Sequence, residues 1–184
     1  PNGISTSLPF DIQIAAVRLS NGVLEDAGAF DSLVDPGIPV PPATIKVHGI
    51  TDEFLADKPR FAEVVEELIA YVAGAEVIIH NAGFDVGFLD AELKRIKRDG
   101  FRKHVAKVTD SLLMAREMFP GKSNSLDALC RRLEVDNSNR TLHGALLDAG
   151  LLAEVYIRLT RGQDSLVIDA GGGSSASGAA AAEP

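Results

Sequence analysis

The stretch His143-Gly144-Ala145-Leu146-Leu147-Asp148-Ala149 brings a base and a carboxylate to the start of one apolar-faced segment. Ala145, Ala149, Leu152 and Tyr156 recur at helical spacing, and Asp148 falls on the same stripe, so its carboxylate points inward. An ionised carboxylate removed from water is costly unless a cation or hydrogen-bond donors meet it. A divalent metal ion is one such partner, and an ordinary buried ion pair is another. On a regular helix His143 and Asp148 are rotated by about 140° from each other. His143 is therefore expected on the loop or first turn, entering the same cavity separately; capping or packing at the helix end is its alternative role.

A second stretch of the same kind is His80-Asn81-Ala82-Gly83-Phe84-Asp85-Val86-Gly87-Phe88, which follows a short apolar run and opens the next helix. Asp85 shares an apolar stripe with Phe88, Leu89 and Glu92. It falls where ligands collect in open α/β sheets, at the carboxyl end of a strand, although the helix dipole alone also favours an acidic residue there. Two inward carboxylates on two helices, with a histidine nearby, suit two-metal hydrolysis of a phosphodiester. In that chemistry one ion lowers the pKa of a bound water, the other stabilises the leaving oxygen, and carboxylates hold the two about 4 Å apart. A histidine near neutral pKa takes the proton from the water, and His143 is the candidate.

The elements that must position these groups follow from periodicity. Ile12 to Leu19 and Ala27 to Val34 read as strands joined across Asn21-Gly22, a dipeptide that tolerates positive φ and signals a hairpin. Prolines 36, 39, 41 and 42 stop any strand, and Ala43 to Val47 forms a helical turn ended by Gly49. Thr51-Asp52-Glu53 reads as a helix start. Phe61, Val64, Val65, Leu68, Ile69 and Val72 form a helical stripe, Val77 to Ile79 a buried strand, and Phe84 to Ile96 an amphipathic helix. A strand over Val105 to Thr109 and helices over Ser111 to Phe119, Ser125 to Leu133 and His143 to Leu159 complete the α/β pattern. Asp110 ends a strand, where it either faces the site or caps the following helix.

At 184 residues and 46% apolar composition the chain suits one globular domain. The expected division is residues 1–168 as the domain and 169–184 as a flexible Gly/Ser/Ala tail. No apolar run is long enough to span a bilayer and no signal peptide is evident, so a cytoplasmic location without a membrane partner is expected. The single Cys130, lying among Leu126, Leu129 and Leu133, fits a reducing compartment and a packing role. A formal net charge of −8 argues against broad grip on a phosphate backbone by bare protein. Bound divalent cations would reverse that field locally.

The two histidine–aspartate stretches resemble the second and third motifs of the DEDDh 3′–5′ exonucleases, a family with a ribonuclease-H-like fold. Within it, several further segments are similar to the proofreading epsilon subunits of bacterial DNA polymerase III. They are Lys107 to Leu112, Phe119 to Cys130, Val135 to Ser138, Arg140 to His143 and Leu159 to Gln163, and the likeness runs from about Ile12 to Ile168. The resemblance implies a mixed sheet flanked by helices, with Asp85 and Asp148 as metal ligands and His143 as the general base. It implies that His48, Asn81 and Phe84 lie against the terminal nucleotide, and that two ions, Mg²⁺ or Mn²⁺, act in the complete site. The partners it implies are a DNA 3′ end, the catalytic subunit of DNA polymerase III and the other core subunits. Polar packing at a helix end for His48, and core packing for Phe84, are the plain alternatives.

The family's first motif, Asp-x-Glu on the first strand, has no counterpart here: Asp11-Ile12-Gln13 copies the spacing but runs straight into what resembles the second strand. With Asp85 and Asp148 alone, half of the anionic ligands of a two-metal site are unaccounted for. The expectation is a domain incomplete at its N-terminus, lacking the first strand. An RNA-trimming exonuclease of the same family and a catalytically inactive binding module are the alternative functions.

Overall fold

The computed structural model describes residues 13–25, 28–139 and 144–171, with side chains described as far as residue 161. Strand β1 (Gln13–Ala16) pairs antiparallel with β4 (Phe30–Leu33), with Ile14 opposite Ser32 and Ala16 opposite Phe30. Between them β2 (Leu19–Ser20) and β3 (Val23–Leu24) close a tight hairpin over Asn21-Gly22. Both turn residues have positive φ, 53° and 73°, as a two-residue hairpin turn requires. The next two strands, β5 (Glu76–Ile79) and β6 (Lys107–Asp110), pair in parallel through a helical crossover. The class is α/β, as expected, with the pairing among described residues confined to three two-stranded pieces.

The helices begin and end where the residues provide caps. Helix α1 (Pro42–His48) starts with proline in its first turn and ends at Gly49, whose φ of 72° is left-handed. Helix α2 (Asp52–Leu55) is capped by Thr51, whose hydroxyl accepts from the Phe54 amide at 3.3 Å. Helices α3 (Phe61–Val72) and α4 (Ala82–Arg95) bury the stripes read from their spacing. After a 3₁₀ turn (Phe101–Lys103) come α5 (Ser111–Met118), α6 (Leu126–Arg132) and α7 (Ala145–Gly171). Helix α7 runs well past Leu159 because nothing from there to Gly171 is a proline, and a lone Gly162 does not stop a helix already anchored by packing. Residues 172–184 lie outside the described residues.

Among the described residues two larger apolar cores hold most of these elements, and a small cluster of Val40 and Leu55 packs with Ile45 of α1. One joins Ile14, Phe30 and Val34 to α3, α4 and Phe101; the other joins Ala115 of α5 and Leu126, Leu129 and Cys130 of α6 to Leu151, Val155 and Leu159 of α7. Cys130 is fully buried, which fits its packing role. No helix among the described residues is long and apolar enough to cross a membrane.

Candidate nuclease site

Asp85 and Asp148 are both inside the protein, 2% and 1% exposed. Each sits in the first turn of its helix, α4 and α7, where the dipole favours a negative charge. Burial nevertheless dominates at Asp85. It pushes the carboxyl up to about 7, with the Asp110 carboxylate adding to the rise, and Oδ2 of Asp85 has no hydrogen-bond partner. A buried acceptor in that state is half of a binding site for a cation or a donor. Asp85 and Ala149, the neighbour of Asp148, line one cavity. No group of three or more His, Cys, Asp or Glu able to hold a metal occurs among the described residues, so the donors present fit part of a metal site.

The start of α4 is held in place by Asp110. Its carboxylate accepts from the amides of Asn81 at 3.1 Å and Ala82 at 3.0 Å, and also from Leu112 at 2.9 Å and Leu113 at 3.4 Å. One side chain therefore caps two helices, which resolves its role in favour of capping. Asp110→Ala is expected to cost about 2–4 kcal/mol, measured as a lower urea midpoint with unchanged slope. A cost below about 0.5 kcal/mol would show that water replaces the carboxylate.

His80 locks the same corner from behind. Burial drives its imidazole down to about 4, so the ring is neutral at pH 7. Nε2–H donates to the Asn124 carbonyl at 2.9 Å, leaving Nδ1 to accept from the Ser111 hydroxyl at 3.0 Å. These bonds tie the end of β5 to the start of α5 and to the loop before α6. At the other carboxylate, Gln13 of β1 reaches α7: its Oε1 accepts from the Ala145 amide at 3.4 Å while its Nε2 donates to Asp31 at 2.9 Å. Periodicity offered no signal for this contact, which joins residues 132 positions apart.

A family model described as exonuclease matches residues 3–156. The chain belongs to the exonuclease family. It is 56% identical over 155 residues to DNA polymerase III subunit epsilon of Pasteurella multocida (strain Pm70), covering 84% of this chain and 61% of that protein. It is also 56% identical over 156 residues to the epsilon subunit of Escherichia coli (strain K12), covering 84% and 64%. This exonuclease chain thus spans about six tenths of the length of these curated relatives. Its fold is shared with solved structures of exonucleases. Exonuclease X in complex with 5′ overhanging duplex DNA superposes with a TM-score of 0.69 at 23% identity over 88% of this chain and 90% of that one. The nuclease domain of 3′hExo, a DEDDh family member bound to rAMP, gives 0.67 at 18% identity over 88% and 86%. DEDDh exonucleases generally work with divalent metal ions.

The remaining candidates of this exonuclease fall into three places. Asn81 and Phe84 share the start of α4 with Asp85. Phe84 is half-buried against Phe88, with ring centroids 4.8 Å apart. His48 ends α1, beside the small cluster of Val40 and Leu55. Its Nδ1 accepts from the Ile50 amide at 3.1 Å, which leaves the proton on Nε2, a buried nitrogen with no partner. Burial lowers the pKa of His48, so the ring stays a neutral donor. His143 lies outside the described residues, as do Asp11, Ile12 and Asp26.

Asn81 has a structural duty that sequence spacing did not reveal, since its φ of 71° is left-handed and its side chain makes no cap bond. Glycine takes that conformation without cost. Asn81→Gly is therefore expected to change stability by less than about 1 kcal/mol. A raised KM for a DNA end with kcat retained would assign the amide to substrate contact; an unchanged KM would leave Asn81 a backbone device.

Proposed function

We propose that the exonuclease removes nucleotides one at a time from DNA 3′ ends and serves as the proofreading activity of a replicative DNA polymerase. The observation carrying this is the pair of buried carboxylates, each at a helix start, in a chain homologous to epsilon subunits over 84% of its length. On this reading Asp85 and Asp148 hold two divalent ions, Mg²⁺ or Mn²⁺, in a ligand set that further carboxylates complete. The ions would supply a water acidic enough to ionise near neutral pH and charge to offset the leaving oxygen.

His143 then accepts the proton of the attacking water, which requires a neutral imidazole at the working pH. Phe84 packs against the terminal base or sugar, Asn81 contacts the same nucleotide, and the Nε2–H of His48 donates to an oxygen of the terminal phosphate or sugar. Partners on this reading are the DNA 3′ end, the DNA polymerase III catalytic subunit and its core companions, and the setting is the cytoplasm.

The test is digestion of 5′-labelled single-stranded DNA and of the matching RNA, each with Mg²⁺, with Mn²⁺ and with chelator. A one-nucleotide ladder from the 3′ end of DNA, lost with chelator, is expected. A ladder on RNA alone would replace DNA by RNA as substrate, because discrimination rests on the 2′-hydroxyl. No cleavage of either, by a chain that contains a full carboxylate set, would favour a binding module.

A further inference from the structure

We infer that the far end of α4 from Asp85 is a second nucleic-acid contact, a basic patch that grips the phosphate backbone of duplex DNA. Residues 94–107 hold seven of the chain's 18 Lys and Arg and one of its 26 Asp and Glu, a net +6 in a chain of net charge −8. The segment folds into one surface. The Phe101 amide donates to the Asp90 carboxylate at 2.7 Å and the Phe101 side chain is buried, so the 3₁₀ turn lies back against α4. Glu92, Glu66 and Glu76 pair with Arg95, Arg98 and Lys107. Lys94, Lys97, Arg102 and Lys103 are exposed and have no ion-pair partner among the described residues.

The helix dipole accounts for Lys94 and Arg95, in the last turn of α4, and for little else, because its influence ends within that turn. Lys97 stands against the preference of the backbone. Its amide donates to the Lys94 carbonyl at 3.0 Å, and the Arg98 amide to the Leu93 carbonyl at 2.9 Å, the pattern in which glycine usually follows a helix. Lysine holds that place at a φ of 57°, a conformation that glycine takes freely and a residue with a β-carbon takes at a cost. A ligand for the ammonium group would offset that cost.

What the patch lacks specifies the occupant. Residues 94–107 expose no aromatic or large aliphatic side chain, so they offer no platform for unstacked bases and no apolar centre for a protein partner. Cations alone suit the phosphates of a duplex. Lys94 and Lys97 lie about 14 to 18 Å along the axis of α4 from Asp85, the length of about four or five base pairs. The exposed row between them is Gly83, Gly87 and Ala91, with no side chain larger than a methyl group, so nothing on that row obstructs a duplex lying along it.

Binding here requires no cleavage and goes beyond the proposed function; only the choice of DNA among double-stranded phosphodiesters rests on that reading. The probe is a covalently closed DNA dumbbell of about 20 base pairs, long enough to span the patch several times over and without a 3′ end to enter the nuclease site, followed by fluorescence anisotropy in chelator. The 184-residue chain is expected to bind it with an affinity that falls with salt at a log–log slope of about −3 to −4, the release of counterions from four phosphates. Replacing Lys94, Lys97, Arg102 and Lys103 together by alanine should weaken binding at low salt at least about 10-fold and bring the slope near zero. Lys97→Gly separates charge from folding: it should raise the melting temperature while weakening binding and reducing the slope by about 1. No binding of the dumbbell, or equal binding by parent and fourfold variant, would overturn the inference. So would a single-stranded DNA circle bound more tightly than the dumbbell, or polyglutamate displacing the dumbbell at equal charge, which would reassign the patch to single strands or to an acidic protein. A chain that binds the dumbbell yet digests no 3′ end would refute the exonuclease reading and leave the patch standing; digestion without dumbbell binding would do the reverse.

Discussion

Asp85→Asn is expected to make the ion-free chain more stable above pH 7 while removing its response to divalent ions. The folded carboxyl titrates at about 7 against an ordinary value of 3.8, chiefly because it is buried. Between those two values the folded state keeps a proton that the unfolded state has released, so stability falls as pH rises through the window and the loss is complete above it. The shift corresponds to a ceiling of about 4 kcal/mol. Asparagine has the shape of the protonated acid and does not titrate. The difference in melting temperature between variant and parent should therefore be near zero at pH 4 and largest at pH 8. Added Mg²⁺ or Mn²⁺ should raise the parent's melting temperature at pH 8 by binding the folded state, and should leave the variant unmoved. A parent whose stability is flat from pH 4 to 8 would show that Asp85 meets a donor or cation already. A variant that still responds to the ions would remove Asp85 from the ligand set.

Both inward carboxylates were legible because periodicity alone determines which residues share a helical face. Asp85 and Asp148 fall on stripes with Leu89 and Leu152, and all four are buried. The same logic identified α3 and α4, and Asn21-Gly22 identified the hairpin because few dipeptides accept two positive φ angles in succession. Local chemistry explains these features, and local chemistry is what a sequence displays. The double cap by Asp110 was half-visible: a carboxylate before a helix suggests a cap for α5, but nothing nearby says that the Asn81 and Ala82 amides on α4 share it. The bond from the Ala145 amide to Gln13 is wholly tertiary. The extent of α7 escaped for a further reason: past Leu159 its sequence is neither strongly helical nor broken, and propensity is a weak guide where packing upstream has already set the helix.

His143→Ala is expected to lower the rate of 3′-end cleavage by about 10²–10⁴ in a chain whose carboxylate set is complete. Five residues ahead of Asp148, His143 would stand about 140° from it on a regular helix, so the expected base is not a member of the apolar stripe that Asp148 shares. Its loss should therefore leave stability within about 0.5 kcal/mol of the parent and leave ion-dependent stabilisation intact, in contrast to Asp85→Asn. The pH–rate profile separates a base from a structural residue. The parent's rate should fall below the histidine range, near pH 6.5 for an unperturbed imidazole, because a protonated ring cannot accept the water's proton. His143→Ala should be slow throughout and lose that acid limb, and raising the pH should recover part of its rate as hydroxide replaces the missing base. A variant with the parent's rate, or one that is slow but keeps the same acid limb, would assign the proton transfer to another group.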